Sequence, residues 1–325
     1  MTEKSVRGVF LDGRHGVEVR THELPEPEPG WALVDVAYAG ICGSDLHLVD
    51  AAEEPGAAPL GHEFVGTLAA ATASLPAGAP VFVNPVIKCG ECPACLSGAV
   101  SFCPRMETLG VSLPGGWSER LLAPESALFP LPQGVDLRRA ALMEPLAICV
   151  RVVHRAGIRL GDVVHVVGGG TIGVLVALLA RRAGASVTVS EPAAARREFA
   201  AALGFETTDA DEGAFAADVV VDATGHPSVP PRLTGWVRTG GTVLVVGAYP
   251  PGAQGVDLLD VMLRELTIVG SLTYQRADIE AAVRLIDDPG LPLEELISEV
   301  VPFEGVTGAI ERLRRGEAMK VLVSA

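Results

Sequence analysis

Six cysteines occur in the chain, and four of them, Cys89, Cys92, Cys95 and Cys103, fall within 15 residues. In a reducing compartment, thiols at this density serve as metal ligands more readily than as disulfide partners. The spacing Cys89-x-x-Cys92-x-x-Cys95, then Cys103 after seven residues, lets four thiolates converge tetrahedrally on Zn²⁺ in a closed structural site. An iron–sulfur cluster competes, because Pro104 follows the last cysteine as in bacterial ferredoxins. Those proteins, however, separate their last two cysteines by only about three residues. Zinc is favoured, and its role would be to fix an excursion with too few apolar residues to fold alone. A second constellation joins Cys42, in Gly40-Ile41-Cys42-Gly43-Ser44-Asp45-Leu46-His47, to His62 and Glu63, in Gly61-His62-Glu63. It offers a thiolate, an imidazole and a carboxylate, with Asp45 placed to orient the imidazole and Glu144 standing before Pro145 at the junction to the second half. Three protein ligands and one open position are what a catalytic zinc needs.

A third set of residues suits a nucleotide. Gly168-Gly169-Gly170-Thr171-Ile172-Gly173 fits G-x-G-x-x-G, a weak signal by itself. Here it follows the apolar run Val163–Val167 directly and opens a helix, whose N-terminal N–H groups and dipole can hold a pyrophosphate. The predicted cofactor contacts are Gly168, Gly170, Thr171, Ile172 and Gly173. Glu191, at the end of the next strand, can accept hydrogen bonds from both adenosine-ribose hydroxyls and would repel a 2′-phosphate, which favours NAD over NADP. Arg196 and Arg197 weigh against that slightly, since an arginine can hold the phosphate.

These groups need two scaffolds. The first 140 residues read as short strands broken by turns: Trp31–Ala39 alternates in strand period, and Val81–Val83 and Leu121–Ala123 are short apolar runs. From about residue 148, apolar strands alternate with helical segments: 163–167, 173–183, 186–190, 199–203, 218–222, 242–247 and 266–270. That pattern predicts βαβ units, an α/β fold with a parallel sheet. Ligands bind beyond the carboxyl ends of such strands, which nominates Thr224, Gly247 and Ser271 for the nicotinamide crevice. A helix is expected over 278–286, and Lys320–Val323 reads as a last strand. Trp117 reads either as a pocket wall or as barrel core, and Cys149 as core packing.

Composition excludes several partners. With 325 residues, an apolar fraction of 49% and a net charge of −15, the chain is globular and repels nucleic acid and anionic lipid. Only Lys4, Lys88 and Lys320 are lysines. Residues 163–180 carry no formal charge, but three glycines interrupt them, so no membrane span is expected. Met1–Phe10 has no apolar core of a secretory signal, and a cytoplasmic protein is expected.

Together these motifs resemble the zinc-dependent medium-chain alcohol dehydrogenases, nearer the sorbitol, butanediol and threonine dehydrogenase branch than the horse-liver type. The resemblance rests on Cys42–His47, Gly61-His62-Glu63, the four-cysteine loop, Gly115-Gly116-Trp117-Ser118-Glu119, Glu144-Pro145 and the glycine turn, in the family's order. It implies a Rossmann doubly wound sheet inserted into a GroES-like β-barrel catalytic domain: 1–147 catalytic, 148–275 dinucleotide-binding, 276–325 returning to the catalytic domain. It also implies a homodimer or homotetramer, and hydride transfer between a small-molecule secondary alcohol, polyol, sugar alcohol or cyclitol and NAD. Zinc would lower the pKa of the substrate hydroxyl, while Ser44 and His47 pass its proton to solvent. Glu63 and Glu144 are both zinc ligands in relatives, and Glu144 is slightly favoured for the resting site. An NADPH-dependent carbonyl reductase of the same fold is the alternative. A non-catalytic nucleotide-binding protein with a structural zinc would have had no need to keep Cys42, His62 and Ser44. Departures include Gly78-Ala79-Pro80-Val81 where the family has Gly-Asp-Arg-Val, and Thr72 in place of Gly or Ala. They leave the substrate open.

Overall fold

The structure is a computed structural model that describes residues 5–97, 102–209, 216–250, 252 and 255–325. It divides into two compact units, Met1–Glu144 with Ile279–Ala325, and Pro145–Asp278. The second unit is an insertion in the first.

In the first unit, Trp31–Gly40 turns Ala32 and Val34 inward between less buried neighbours and forms the central strand of a mixed sheet. The sheet order is Ile297–Pro302, Lys320–Ser324, Trp31–Gly40, Glu63–Leu68, Pro80–Val83 and Leu128–Pro130, and Arg120–Pro124 also pairs with Trp31–Gly40. Val34, Phe64, Val81, Leu121 and Val321 fill its core, and each buried aliphatic or aromatic side chain contributes about 1.5–3 kcal/mol. Trp117 belongs to this core: it is fully buried and its Nε1 donates to Gly40 O at 3.2 Å. The final strand pairs Leu322 with Gly40 and Val323 with Ala39, which brings the end of the chain beside the Cys42 loop. A hairpin of Ser5–Leu11 with Val17–Glu23 precedes the sheet. Its second strand has no fully buried position, which hides it from a periodicity argument.

The second unit holds a six-stranded parallel sheet ordered Glu206–Thr208, Ser186–Ser190, Val163–Val167, Ala217–Asp222, Val237–Val245 and Thr267–Gly270. In chain order this is 3-2-1-4-5-6, the order of dinucleotide-binding sheets, with its switch point between Val163–Val167 and Ala217–Asp222. The uncharged run 163–180 splits into a buried strand, a glycine turn and the buried face of the helix Thr171–Arg182. Among the described residues, no helix is long and apolar enough to cross a membrane.

Two elements differ from expectation. The strand expected at 242–247 runs from Val237 to Val245, which leaves Gly247 in the turn beyond it. The helix beside Cys149 starts earlier than the sequence suggests, at Met143, and so includes Pro145. It sits in the first turn, where its missing N–H breaks no helical hydrogen bond.

Candidate metal and dinucleotide sites

Cys42 caps the helix Gly43–Asp50, and its backbone N–H donates to Asp45 Oδ2 at 2.8 Å. Asp45 is fully buried, and its other oxygen lies 3.1 Å from His62 Nδ1. The opposite ring nitrogen, Nε2, is 3.3 Å from Ser44 Oγ, which itself donates to Cys42 Sγ at 3.2 Å. His62 therefore turns Nε2 towards Cys42, the orientation a metal ligand needs. Burial opposes protonation of His62, but the Asp45 carboxylate and the Cys42 sulfur outweigh it and raise the imidazole well above its ordinary pKa in the metal-free protein.

Glycines bring the His62 loop into place. Gly61 has φ +91°, and a Cβ there would lie 2.2 Å from Trp117 Cδ1. Gly116 N and Trp117 N donate to the carbonyls of Gly61 and Leu60, both at 2.8 Å. The Gly115-Gly116-Trp117 stretch thus sets the backbone that presents His62.

Glu63 opens the strand Glu63–Leu68 opposite Gly40. Its carboxylate accepts from Lys320 Nζ at 2.9 and 2.6 Å, and Lys320 also donates to Ile41 O at 2.9 Å. Burial opposes the Lys320 charge, yet Glu63 outweighs it and raises the ammonium pKa. Donor atoms of Cys42, His62 and Glu63 all lie within 4.8 Å of one another. Glu144, buried in the first turn of Met143–Ala156, stands outside that group. Ser44 and His47 are both exposed and three residues apart on the helix Gly43–Asp50, so they share a face.

The other cysteine group also comes together. Donor atoms of Cys89, Cys92, Cys95 and Cys103 lie within 4.8 Å of one another, with Cys92 capping the short helix Pro93–Leu96. The Glu91 backbone N–H pushes the Cys89 thiol down to about 6, while burial pushes Cys95 up to about 12. A cation bound by the four would drive off their thiol protons. Both donor sets fit Zn²⁺, a tight tetrathiolate and a thiolate–imidazole–carboxylate site.

The glycine turn of the second unit is built for close approach. Gly168 has φ +101°, and a Cβ on Gly173 would stand 1.8 Å from Gly168 O, so turn and helix pack backbone to backbone. Gly170 caps the helix Thr171–Arg182 without a side-chain acceptor, which leaves Thr171, Ile172 and Gly173 at an N-terminus open to an anion. Glu191 is buried and accepts from Gly169 N at 2.7 Å and Ala193 N at 2.9 Å. A carboxylate has about four lone-pair sites, so acceptors remain for ribose hydroxyls. Arg197 donates to the Glu191 and Pro192 carbonyls, whereas Arg196 Nε is buried without a hydrogen-bond partner. At the sheet's carboxyl edge, fully buried Asp222 accepts from Thr224 N and Oγ1, at 3.0 and 2.7 Å, and from Tyr249 Oη. Gly247 packs on Gly225, where a Cβ would meet N at 2.2 Å, and Ser271 Oγ is buried without a partner. A backbone cradle and an orphaned hydroxyl fit a dinucleotide.

Sequence reasoning missed Lys320, Asp222 and Tyr249. Only Lys320 carried a signal, a lysine opening an apolar strand.

Comparisons with known proteins agree with this picture. Residues 28–133 match the family described as alcohol dehydrogenase GroES-like domain, and residues 171–288 match zinc-binding dehydrogenase. A 2-dehydro-3-deoxy-L-galactonate 5-dehydrogenase of Pseudoalteromonas atlantica is 32% identical, over 91% of this chain and 92% of its own. D-xylulose reductase A of Aspergillus niger is 31% identical, over 97% and 95%. A Sinorhizobium meliloti protein described as a zinc-binding dehydrogenase, solved bound to NADP, has a TM-score of 0.92 at 32% identity and covers 99% of this chain and 100% of its own.

Proposed function

The chain belongs to the zinc-dependent medium-chain alcohol dehydrogenase family, and on that footing we propose that it oxidises a secondary hydroxyl of a polyol, sugar acid or cyclitol with NAD. The observation that carries this reading is the convergence of Cys42 Sγ and His62 on a shared space, with the far side of the imidazole fixed by buried Asp45. The Pseudoalteromonas and Aspergillus relatives act on hydroxyl or keto carbons of sugar acids and sugars, which supports the substrate class.

Zinc, held by Cys42, His62 and a carboxylate, supplies the Lewis acidity that lowers the pKa of the substrate hydroxyl. A carboxylate would complete the set: Glu63 has an oxygen within 4.8 Å of the Cys42 and His62 donors, and Glu144 is favoured for the resting site by the Glu144-Pro145 match. Ser44 Oγ takes the hydroxyl proton and passes it along the exposed face to His47, which releases it to water. A bound nicotinamide would supply the hydride acceptor for the substrate's carbinol carbon. Gly168, Gly170, Thr171, Ile172 and Gly173 hold the pyrophosphate, Glu191 the adenosine ribose, and Thr224, Gly247 and Ser271 line the nicotinamide crevice. Cys89, Cys92, Cys95 and Cys103 hold a structural zinc. The strand Thr267–Gly270 is an open sheet edge, with exposed Leu258, Leu259, Met262, Leu263, Ile268 and Leu272 on or beside it. Pairing of that edge between copies gives a homodimer or homotetramer. The free thiols suit the cytoplasm.

A second reading of the cofactor has one observation behind it. Unpartnered Arg196 Nε offers a donor beside the ribose site, and the Sinorhizobium relative binds NADP. An oxidation assay with a panel of polyols and sugar acids, run with each cofactor and with Cys42→Ser as control, tests both. Faster reduction of NAD than of NADP supports NAD as the cofactor, and activity surviving in the control contradicts zinc catalysis.

A further inference from the structure

Asp222 ends the strand Ala217–Asp222 at the carboxyl edge of the parallel sheet, and its side chain is fully buried. Its backbone carbonyl accepts from Val246 N at 2.9 Å and Gly247 N at 3.0 Å, so the turn after Val237–Val245 hangs on the same residue. That turn packs on the turn after Asp222 without room for side chains. A Cβ on Gly225 would stand 2.2 Å from Ala248 O, and one on Gly247 would stand 2.2 Å from Gly225 N. The Asp222 carboxylate closes the arrangement. Its Oδ1 accepts from Thr224 N at 3.0 Å and Thr224 Oγ1 at 2.7 Å, and the hydroxyl of half-buried Tyr249 donates to Oδ2. Burial, aided by the carboxylate, raises the Tyr249 pKa, which keeps the hydroxyl a donor.

We propose that Tyr249 is a positioning residue whose hydroxyl ties the turn after Val237–Val245 to Asp222 and so presets the crevice for the nicotinamide half of the cofactor. This rests on the reading of the second unit as a dinucleotide site. Thr224 and Gly247 stand on the two tied turns. Ser271, whose hydroxyl is buried without a partner, follows on the next strand's end, with its N–H on Val245 O at 2.9 Å. The residues proposed for the pyrophosphate and the adenosine ribose, Gly168–Gly173 and Glu191, lie on other turns, so the tie bears on one end of the cofactor. Without the hydroxyl, Oδ2 loses a donor in a buried place, and carboxylate and turn rearrange together. A crevice that is in place for only part of the time binds more weakly by that fraction.

The test titrates the zinc-loaded protein calorimetrically with NADH and with ADP-ribose, which lacks the nicotinamide. Tyr249→Phe keeps the ring and removes only the hydroxyl. It should weaken NADH relative to ADP-ribose about tenfold, the scale of one hydrogen bond to a charged group. A relative loss below about fivefold overturns the proposal on the same scale, and a loss of both ligands together is such a result. Asp222→Asn turns the tie into a neutral hydrogen bond of roughly half the strength. In that background Tyr249→Phe should cost less than about a third of the factor it costs NADH in the wild type. A larger cost overturns the proposal, because the hydroxyl would then act without Asp222. NADPH and 2′-phospho-ADP-ribose replace the two ligands if the wild type binds NADPH more tightly than NADH. If the wild type binds none of the four, the dinucleotide reading itself has failed, and the two failures are distinguishable.

Discussion

Asp45 Oδ1 stands 3.1 Å from His62 Nδ1, while Asp45 Oδ2 takes the backbone N–H of Cys42 at 2.8 Å. One buried carboxylate thus both faces the imidazole and holds the Cys42 backbone. Asp45→Asn keeps the shape and removes the charge. Zinc affinity at the Cys42 site should fall about 10–100-fold, the usual cost of losing such a contact. Competition with a chelator reads it, and unchanged affinity would show that Asp45 does not orient the ligand.

The four-cysteine loop should carry its own zinc. Cys103→Ser is expected to lower the metal content by one zinc per chain and to lower the unfolding temperature, because a structural site contributes folding energy directly. Cys42→Ser should lose the other zinc and keep this one. Iron in place of zinc, with visible charge-transfer absorption, would contradict the assignment.

Glu191 accepts from Gly169 N at 2.7 Å and is buried, and the proposed site sets its carboxylate against the adenosine ribose. Glu191→Ala removes an acceptor and a repulsion. A hydrogen bond to a charged group is worth about 1.5–3 kcal/mol, so the NAD to NADP ratio of kcat/KM should fall roughly 10–100-fold. Arg196→Ala separates the two cofactor readings. Under NAD preference it leaves NAD kinetics nearly unchanged, and a large loss confined to NADP as the better cofactor would favour the second reading.

His165, inside the strand Val163–Val167, stacks on Trp236, with Nε2 3.0 Å from Ser190 Oγ. Burial pushes its pKa down to about 4, from the ordinary 6.5. The unfolded chain therefore takes up a proton that the folded chain refuses. The resulting stability is complete above about pH 6.5, declines as pH falls, and is lost below about pH 4. It amounts to about 3 kcal/mol at most. Urea unfolding of the zinc-loaded protein at about pH 7.5 and about pH 4.5 should show a larger acid loss in wild type than in His165→Gln. Equal losses would mean that His165 stays solvated.

Much of the fold and of the two donor clusters was legible in the sequence where local chemistry decides the outcome. Val163–Val167 and Ser186–Ser190 read correctly because strands of a parallel sheet, sheltered by helices, need little polar patterning. The metal sets read because ligand type and spacing are themselves the signal. Lys320 did not, since its partner Glu63 is 257 residues away and only the sheet register joins them. Asp222 and Tyr249 meet across two turns whose approach no spacing rule describes. The ambiguity of Trp117 was settled by Gly61, where a Cβ would stand 2.2 Å from the indole Cδ1, so that glycine leaves the ring its place in the core.

The proposed chemistry needs a metal ion between Cys42 and His62. Crystals grown with zinc and measured on both sides of the zinc absorption edge would test it most directly. Two anomalous peaks per chain are predicted, one enclosed by the four cysteines and one bonded to Cys42 Sγ and His62 Nε2. A single peak, at the four cysteines, with Cys42 and His62 holding nothing, would contradict it.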